Sequence, residues 1–572
     1  MFRACRSAVA LITGLAAISG YGRAAQLEPL PFSFRNVARE SGIDAVVTFG
    51  GKTNNTYLLE TTGTGVAFID YDGDGLLDLF FVNGTTLEGF PAGKAPTSRL
   101  YRNRGNGRFE DVTGSAGVAA SGWGQGTCVG DYDNDAHDDL FVTFYGQNRL
   151  YHNDGRGRFT DVTGKAGLTQ SRTRWSTSCA FLDYDRDGRL DLFAANYIDL
   201  DLASAPTPRS GLCRYKGLPV ACGPPGLTGG KNLLFRNRGD GTFEDASERS
   251  GITRAGGTYG LGVSTFDFDG DGWTDLYVAN DSNPSTLYRN NHDGTFTDVA
   301  IRAGCAYSQD GKPQAGMGVA VGDYDRNGTM DVFKTNFAGD TSTLYANTGR
   351  GLCEDRTFSA GIGLNTRWLG WGTAFVDLDN DGWLDLFLTN GHVYPEVRQI
   401  VTEFGYEQRK VVYRNDGKGR FIDVSERLGA PVTTPKAGRG AAFGDFDNDG
   451  QIDVAIANVN DRPDLFRLVG SPENHWITLT LTGTSSNRDA IGARVRAVTG
   501  DVQQWQEVRG GGSYLSQGDF RVHFGLGAAA RVDRIDVRWP NGLEESWEGL
   551  DVDRFHTLKE GSGRASSPAF GR

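Results

Sequence analysis

DYDGDGLLDLF, residues 70–80, decides the reading of this chain. Aspartates stand at positions 1, 3, 5 and 9 of the stretch, a glycine permits a bend at position 6, and an apolar run follows. Carboxylates at that spacing can converge on one hard cation, and the carbonyl of position 7, Leu76, can add another oxygen. Calcium takes about six to eight oxygens in flexible geometry and suits this set plus water. Magnesium keeps its waters and demands stricter geometry. Phe81 stands where an EF-hand would place its last glutamate, and no helical pattern flanks the loop. LDLFFVN instead reads as a short buried strand.

A single acidic turn would carry little weight, but this one occurs seven times. The first set of candidate ligands is Asp70, Asp72, Asp74 and Asp78. The second is Asp131, Asp133, Asp135 and Asp139, and the third Asp183, Asp185, Asp187 and Asp191. Asp267, Asp269, Asp271 and Asp275 follow, then Asp323, Asp325, Asn327 and Asp331. Asp377, Asp379, Asp381 and Asp385 form the sixth set, and Asp445, Asp447, Asp449 and Asp453 the seventh. Two departures stand out. Ala136 replaces the bend glycine, and Asn327 offers a neutral oxygen, which is expected to weaken its site.

The 572-residue chain carries a formal charge of −13, and seven bound Ca²⁺ would add +14, so much of the acidity reads as site chemistry. There is no basic stripe to hold nucleic acid. Residues 1–25 read as an export signal: Arg3 and Arg6 precede the apolar SAVALITGLAAISG, and Ala24 and Ala25 mark a cleavage zone. No later run is long and apolar enough to span a bilayer. The expected location is therefore extracellular, periplasmic or at the cell surface. Six cysteines remain after the signal, an even number that fits an oxidising compartment. Cys213–Cys222 is the expected disulfide, Cys305–Cys353 a second candidate, and Cys128 and Cys179 read as buried thiols.

Around each loop the pattern is longer. A glycine-rich strand leads in, as in GWGQGTCVGDYD, and a strand ending in Asn follows, as in LFFVN, LYVAN and LFLTN. Then comes LYRNRGNGRFEDVTGSAG (100–117), repeated with variation from 150, 234, 287 and 412. Four strands per unit, separated by Gly, Asn and Asp turns, predict an all-β chain of propeller blades. The last unit lacks its F-x-D-V-T strand, and FRNVARESG (34–42) supplies an orphan one, which would close the ring and remove an exposed edge. The expected architecture is a seven-bladed β-propeller over residues 27–470 with a small β-sandwich-like domain over 474–560. Residues 561–572 read as a disordered tail.

The repeats resemble FG-GAP/VCBS repeats, the calcium-loop blades of integrin α-chain propellers. IGARVRAVTG (491–500), EVRGGGSYLSQ (507–517), VHFGLG (522–527) and RIDVRWPNG (534–542) resemble the ASPIC/UnbV domain. Together the two parts are similar to bacterial members of the cartilage acidic protein family. That resemblance implies an exported calcium-binding protein, with up to seven Ca²⁺, and brings no well-defined activity.

Each metal loop joins two antiparallel strands, so residues some eight before the first Asp lie at the hairpin's other end. That end gathers Trp123, Trp175, Tyr259, Trp368, Arg174, Arg367, Arg439 and His392, with Asn83, Asn196, Asn280, Asn336, Asn390 and Asn458. Two long insertions, 197–231 and 391–411, leave from it, and long loops on a rigid scaffold commonly carry binding. The metals would rivet one face while Trp123, Trp175, Tyr259, Arg174, Arg367, Trp368 and His392 bind a ligand on the other. The alternative is that the tryptophans pack between blades and the asparagines close turns. Arg238-Gly239-Asp240 occupies a repeat turn and is read as no more than that. The leading functional reading is an extracellular binding or adhesion module for carbohydrate or protein. A calcium-dependent enzyme acting on polysaccharide or a secondary metabolite, with His392, Glu396 and Arg367 as candidates, is the second. A structural envelope component is the third.

Overall fold

Each aspartate loop is the turn of a hairpin whose first strand lines the centre of the molecule. In the first unit Val66–Ile69 pairs antiparallel with Asp78–Phe81, with Ile69 opposite Asp78. Arg99–Asn103 and Phe109–Asp111 complete a four-stranded meander. The structure, a computed structural model, describes residues 29–400, 402–403, 405–470 and 473–565; the expected export signal lies outside them. Among these residues the meander recurs, with first strands Trp123–Gly130, Arg174–Leu182, Gly260–Phe266, Val319–Gly322, Gly370–Val376 and Gly438–Gly444. The last of these sheets is completed by Ser33–Asn36, which pairs antiparallel with Asp464–Val469. The first strands lie side by side in a ring, and Gly438–Gly444 returns to Val66–Ile69. The architecture is all-β and propeller-like.

The loops are shaped by backbone that few side chains tolerate. Position 6 has positive φ throughout, between 77° at Ala136 and 86° at Gly272. Glycine adopts this freely, whereas alanine is strained there.

The C-terminal domain consists of two sheets. His475–Thr482 runs between Val522–Gly527 and Arg554–Lys559. The second sheet orders Val502–Glu507, Arg494–Thr499, Arg534–Arg538, Glu544–Trp547 and Arg564–Ala565. Arg564–Ala565 is a correction: it pairs with Glu544–Trp547, so residues 561–565 continue the fold instead of opening a disordered tail. The domain shares one apolar core with the second and third units, Ile477, Leu479 and Val495 packing in the cluster that holds Phe141 and Phe181.

From this domain, residues 509–518 run into the centre of the ring. Gly510, Ser513, Leu515 and Gln517 exchange backbone hydrogen bonds with first strands of the fourth, fifth, second and first units. The Ser513 hydroxyl accepts from Thr373 N at 3.2 Å, and Leu515 N donates to the Ser178 hydroxyl at 3.1 Å. At the tip Tyr514 is fully buried, its ring 4.7 Å from Trp371 and its hydroxyl donating to Thr62 O at 3.1 Å. The glycines of GGGSYLSQ allow this passage: a Cβ on Gly510 would lie 1.9 Å from Phe181 O.

Three disulfides join the described cysteines. Cys213–Cys222 and Cys305–Cys353 are as anticipated. Cys128 and Cys179, expected as separate thiols, are instead bonded to each other across adjacent first strands, with Cα atoms 5.7 Å apart. Sequence separation hides this pairing because only the packing of one unit against the next sets those strands side by side.

Replacing Tyr514 by alanine should lower stability by about 3–5 kcal/mol, the usual cost of truncating a large core aromatic, read as a lower urea midpoint. An unchanged midpoint would show that the plug is not part of the cooperative core. Ala136→Gly should raise stability by up to about 1 kcal/mol through relief of the positive-φ strain, read as a higher urea midpoint; a lower midpoint would refute that account.

Candidate metal centres

Every loop is wound around its own carboxylates. In the first, Asp70 accepts the N–H groups of Asp74 (3.1 Å) and Gly75 (2.9 Å), and Asp74 accepts that of Leu76 (3.0 Å). Asp78 accepts from Tyr71 N at 3.2 Å and from Asn103 N, in the third strand, at 2.6 Å. The same bonds recur in the seventh loop, from Asp449 and Gly450 to Asp445 and from Phe446 and Leu468 to Asp453. Ligand oxygens of Asp70, Asp72 and Asp78 lie within 4.8 Å of one another, as do those of Asp131, Asp133 and Asp135, of Asp183, Asp185 and Asp187, and of Asp267, Asp269 and Asp271. Twice a Ca–O bond of about 2.4 Å spans that separation.

Position 3 provides the test of fit. One oxygen pairs with an arginine of the third strand: Arg102 with Asp72 and Arg467 with Asp447, both at 2.6 Å. The other oxygen is buried and has no hydrogen-bond partner in Asp72, Asp185, Asp379 and Asp447. An anionic oxygen left so is costly unless a cation answers it. Burial also drives the carboxyls toward protonation against the pull of their backbone donors. It pushes Asp78 and Asp131 up to about 8, and Asp183, Asp323 and Asp445 up to about 7. Asp191, Asp275, Asp331, Asp377, Asp385 and Asp453 are raised well above the usual range for the same reason. The donor set, all oxygen with one orphaned atom per loop in four loops, fits calcium.

The fifth loop shows how the charge is kept in balance. Ala346 stands where other units carry the arginine, and Asn327 where they carry the aspartate. Four carboxylates with one arginine, or three with none, leave the same formal charge. In the second unit His152 takes the arginine's place, with Nδ1 3.3 Å from Asp139 and 3.4 Å from Asp133. The Asp139 carboxylate beside it raises it to about 9.

Sequence reasoning missed the asparagine that ends each LYRN-type strand. Asn103 Nδ2 donates to Leu77 O in its own loop (3.1 Å) and to Phe446 O in the preceding loop (2.8 Å). Asn153, Asn237, Asn290, Asn347 and Asn415 bridge successive loops in the same way, reaching Tyr71, Tyr132, Tyr184, Phe268 and Tyr324. Their recurrence was visible in the repeats; the neighbour they reach was not.

The opposite end differs from expectation. Trp175 is fully buried, its Nε1 donating to Gln125 at 3.1 Å, and Tyr259 is buried with its hydroxyl on Leu227 O at 2.8 Å. Trp123 packs edge-on to Phe49 at 5.4 Å, and Arg174 is half-buried. His392 is sealed under Tyr215, ring centroids 4.9 Å apart, where burial lowers it to about 3. The cause is the 197–231 insertion, whose short hairpin, clasped by Cys213–Cys222, folds Tyr215 inward. Trp175, Tyr259 and His392 are therefore core, and Trp123 and Arg174 are partly covered, so together they form no solvent-facing platform. Arg439 is buried too, all its donors on carbonyls of Thr61, Gly391, His392 and Gly438. Asn458 closes a turn through Nδ2, 3.0 Å from Arg462 O, while Asn196 and Asn390 tie the far ends of the two insertions, at 2.9 and 2.8 Å from carbonyls of Lys231 and Arg409. Glu396 accepts Asn55 N, and among the described residues no hydrogen bond joins it to His392 or Arg367. Arg367 and Trp368 alone of the set stay accessible together. They line a groove of about 930 Å³ with Asn365, Glu403 and Arg409, the Trp368 ring lying 4.7 Å from Arg367 and 5.1 Å from Arg409.

The FG-GAP-like repeat family matches residues 70–142, 131–194, 220–278, 267–333 and 400–456, and the ASPIC and UnbV family matches 483–565. Cartilage acidic protein 1 of Mus musculus is 24% identical over 499 residues, covering 84% of this chain and 61% of that protein. The Homo sapiens protein is likewise 24% identical over 84% of this chain and 60% of its own length. The chain thus spans about three-fifths of the curated relatives it matches. Among solved structures, an Agrocybe aegerita lectin recognising terminal N-acetylglucosamine aligns at 17% identity and TM-score 0.38, over 65% of this chain and 84% of its own. The BP39L lectin of Burkholderia pseudomallei aligns at 11% identity and TM-score 0.41, over 72% and 97%. On its repeats and its C-terminal segment, the chain belongs to the FG-GAP-like repeat family and ends in an ASPIC and UnbV domain.

Proposed function

We propose that the protein is an exported, calcium-loaded binding module that takes carbohydrate at the Arg367–Trp368 groove. The observation that carries the calcium reading is the buried, unpartnered oxygen of Asp72, Asp185, Asp379 and Asp447, each in a loop of oxygen donors. A bound dication would satisfy the oxygen of each carboxylate that its arginine does not reach, and would favour the folded state by mass action. Three disulfides support passage through an oxidising compartment, and no helix among the described residues is long and apolar enough to cross a membrane. The groove offers an indole with flanking guanidinium and carboxylate groups, which suits stacking on a sugar ring and charge-assisted hydrogen bonds to its substituents. The enzymatic reading loses support because His392, its candidate acid–base, is fully buried.

Chelation should lower the melting temperature of the protein substantially, with elemental analysis finding calcium before and not after. An unchanged melt in EDTA, with no metal found, overturns the calcium reading. Arg367→Ala together with Trp368→Ala should abolish retention on immobilised polysaccharides while leaving the calcium content unchanged. Retention equal to that of the unaltered protein would remove the groove from the proposal.

A further inference from the structure

Position 4 of each loop, between the ligands at 3 and 5, also lies in the left-handed region of backbone space. Two loops place glycine there, Gly73 and Gly270, at φ 70° and 77°. The other five place Asn134, Arg186, Arg326, Asn380 and Asn448 there, at φ between 55° and 59°. An L side chain is strained in this conformation. All five make the same long-range bond. Asn134 Nδ2 donates to Gly188 O, Asn380 Nδ2 to Gly450 O and Asn448 Nδ2 to Gly75 O, each at 3.0 Å. Arg326 Nε donates to Gly382 O at 3.0 Å, and Arg186 to Gly272 O. In every case the acceptor is the position-6 carbonyl of the next loop. Where the fourth loop has Gly270, Arg494 of the C-terminal domain donates to Gly328 O instead.

The accepting peptide is a sensitive one. Its N–H side belongs to position 7 and holds the position-5 carboxylate, as Trp383 N holds Asp381 at 2.9 Å and Gln451 N holds Asp449 at 3.0 Å. Each tie therefore links the ligand-bearing turn of one loop to a ligand of the next. The C-terminal domain grips the same amides: Arg488 N donates to Asn134 Oδ1 (3.0 Å), Arg521 to Asn448 Oδ1 (2.7 Å), and His523 Nε2 meets Asn380 Oδ1 at 2.7 Å.

We infer that the position-4 side chains are positioning residues that couple neighbouring cation loops, so that loading one orders the next and the ring fills cooperatively. This rests on the calcium reading above. A tie that only stapled the fold would act equally with and without metal, whereas coupling changes the binding curve itself.

The test is calorimetric titration of calcium alone into metal-stripped mature protein, comparing the unaltered chain with Asn380→Gly, Asn448→Gly and their double variant. Glycine suits the backbone at these positions but gives up the bonds to Gly450 O, Gly75 O, His523 and Arg521, so the metal-free melting temperature should fall and the titrations are run well below it. The stoichiometry should be unchanged, while the Hill coefficient falls toward one and the affinity of the altered loops weakens by about fivefold or more. Gly73→Asn, at a position where an added Cβ would meet no atom within 4 Å, should move the curve the other way. Curves that superimpose on that of the unaltered protein, with calcium bound normally, overturn the coupling alone. An unaltered protein that takes up no calcium overturns the calcium reading and the coupling with it.

Discussion

Buried carboxylates held at close quarters are the constraint around which the molecule is organised. Left alone, four such groups in one turn repel each other and resist burial. Everything near them answers that demand: backbone N–H groups on positions 1, 5 and 9, an arginine on position 3, and asparagines that tie one loop to another. The fifth loop demonstrates that the balance is electrostatic. It loses a carboxylate and an arginine together, through Asn327 and Ala346, while its backbone bonds stay those of its neighbours. The seven units therefore share an electrostatic solution as much as a strand pattern.

The C-terminal domain extends that solution. It sits on the loop face, where Asp489 accepts Asp131 N at 2.8 Å and Glu507 accepts Asp267 N at 3.2 Å. From there it sends Tyr514 through the ring to the far end. The centre of the ring is thus occupied by the chain itself, and the far end is closed by aromatic packing and a disulfide-clasped hairpin. At the periphery the Arg367–Trp368 groove opens beside the 391–411 insertion.

The hairpins were legible in the sequence because local rules write them: a glycine at the bend, aspartates that fold the turn onto themselves, and apolar runs on both sides. The opposite-end geometry was legible too, since Gly370 does face Asn390 and Gly438 faces Asn458 across their hairpins. What those residues do there was not. Trp175, Tyr259 and His392 have the composition of a binding surface, and the 197–231 insertion together with the Tyr514 plug turns that end into core.

The sequence by itself determined the repeat, the shape of each loop and the candidate ligands, because all of these depend on residues within about one hairpin of each other. Tertiary structure alone decided which loop each asparagine and arginine reaches, which cysteines meet, and what fills the centre. Those contacts join residues as distant as Asn448 and Gly75, or Tyr514 and Thr62. These two exist only once the ring has closed and brought chain segments from its two ends to the same place, whereas Cys128–Cys179 and Asn134–Gly188 need only successive units to pack.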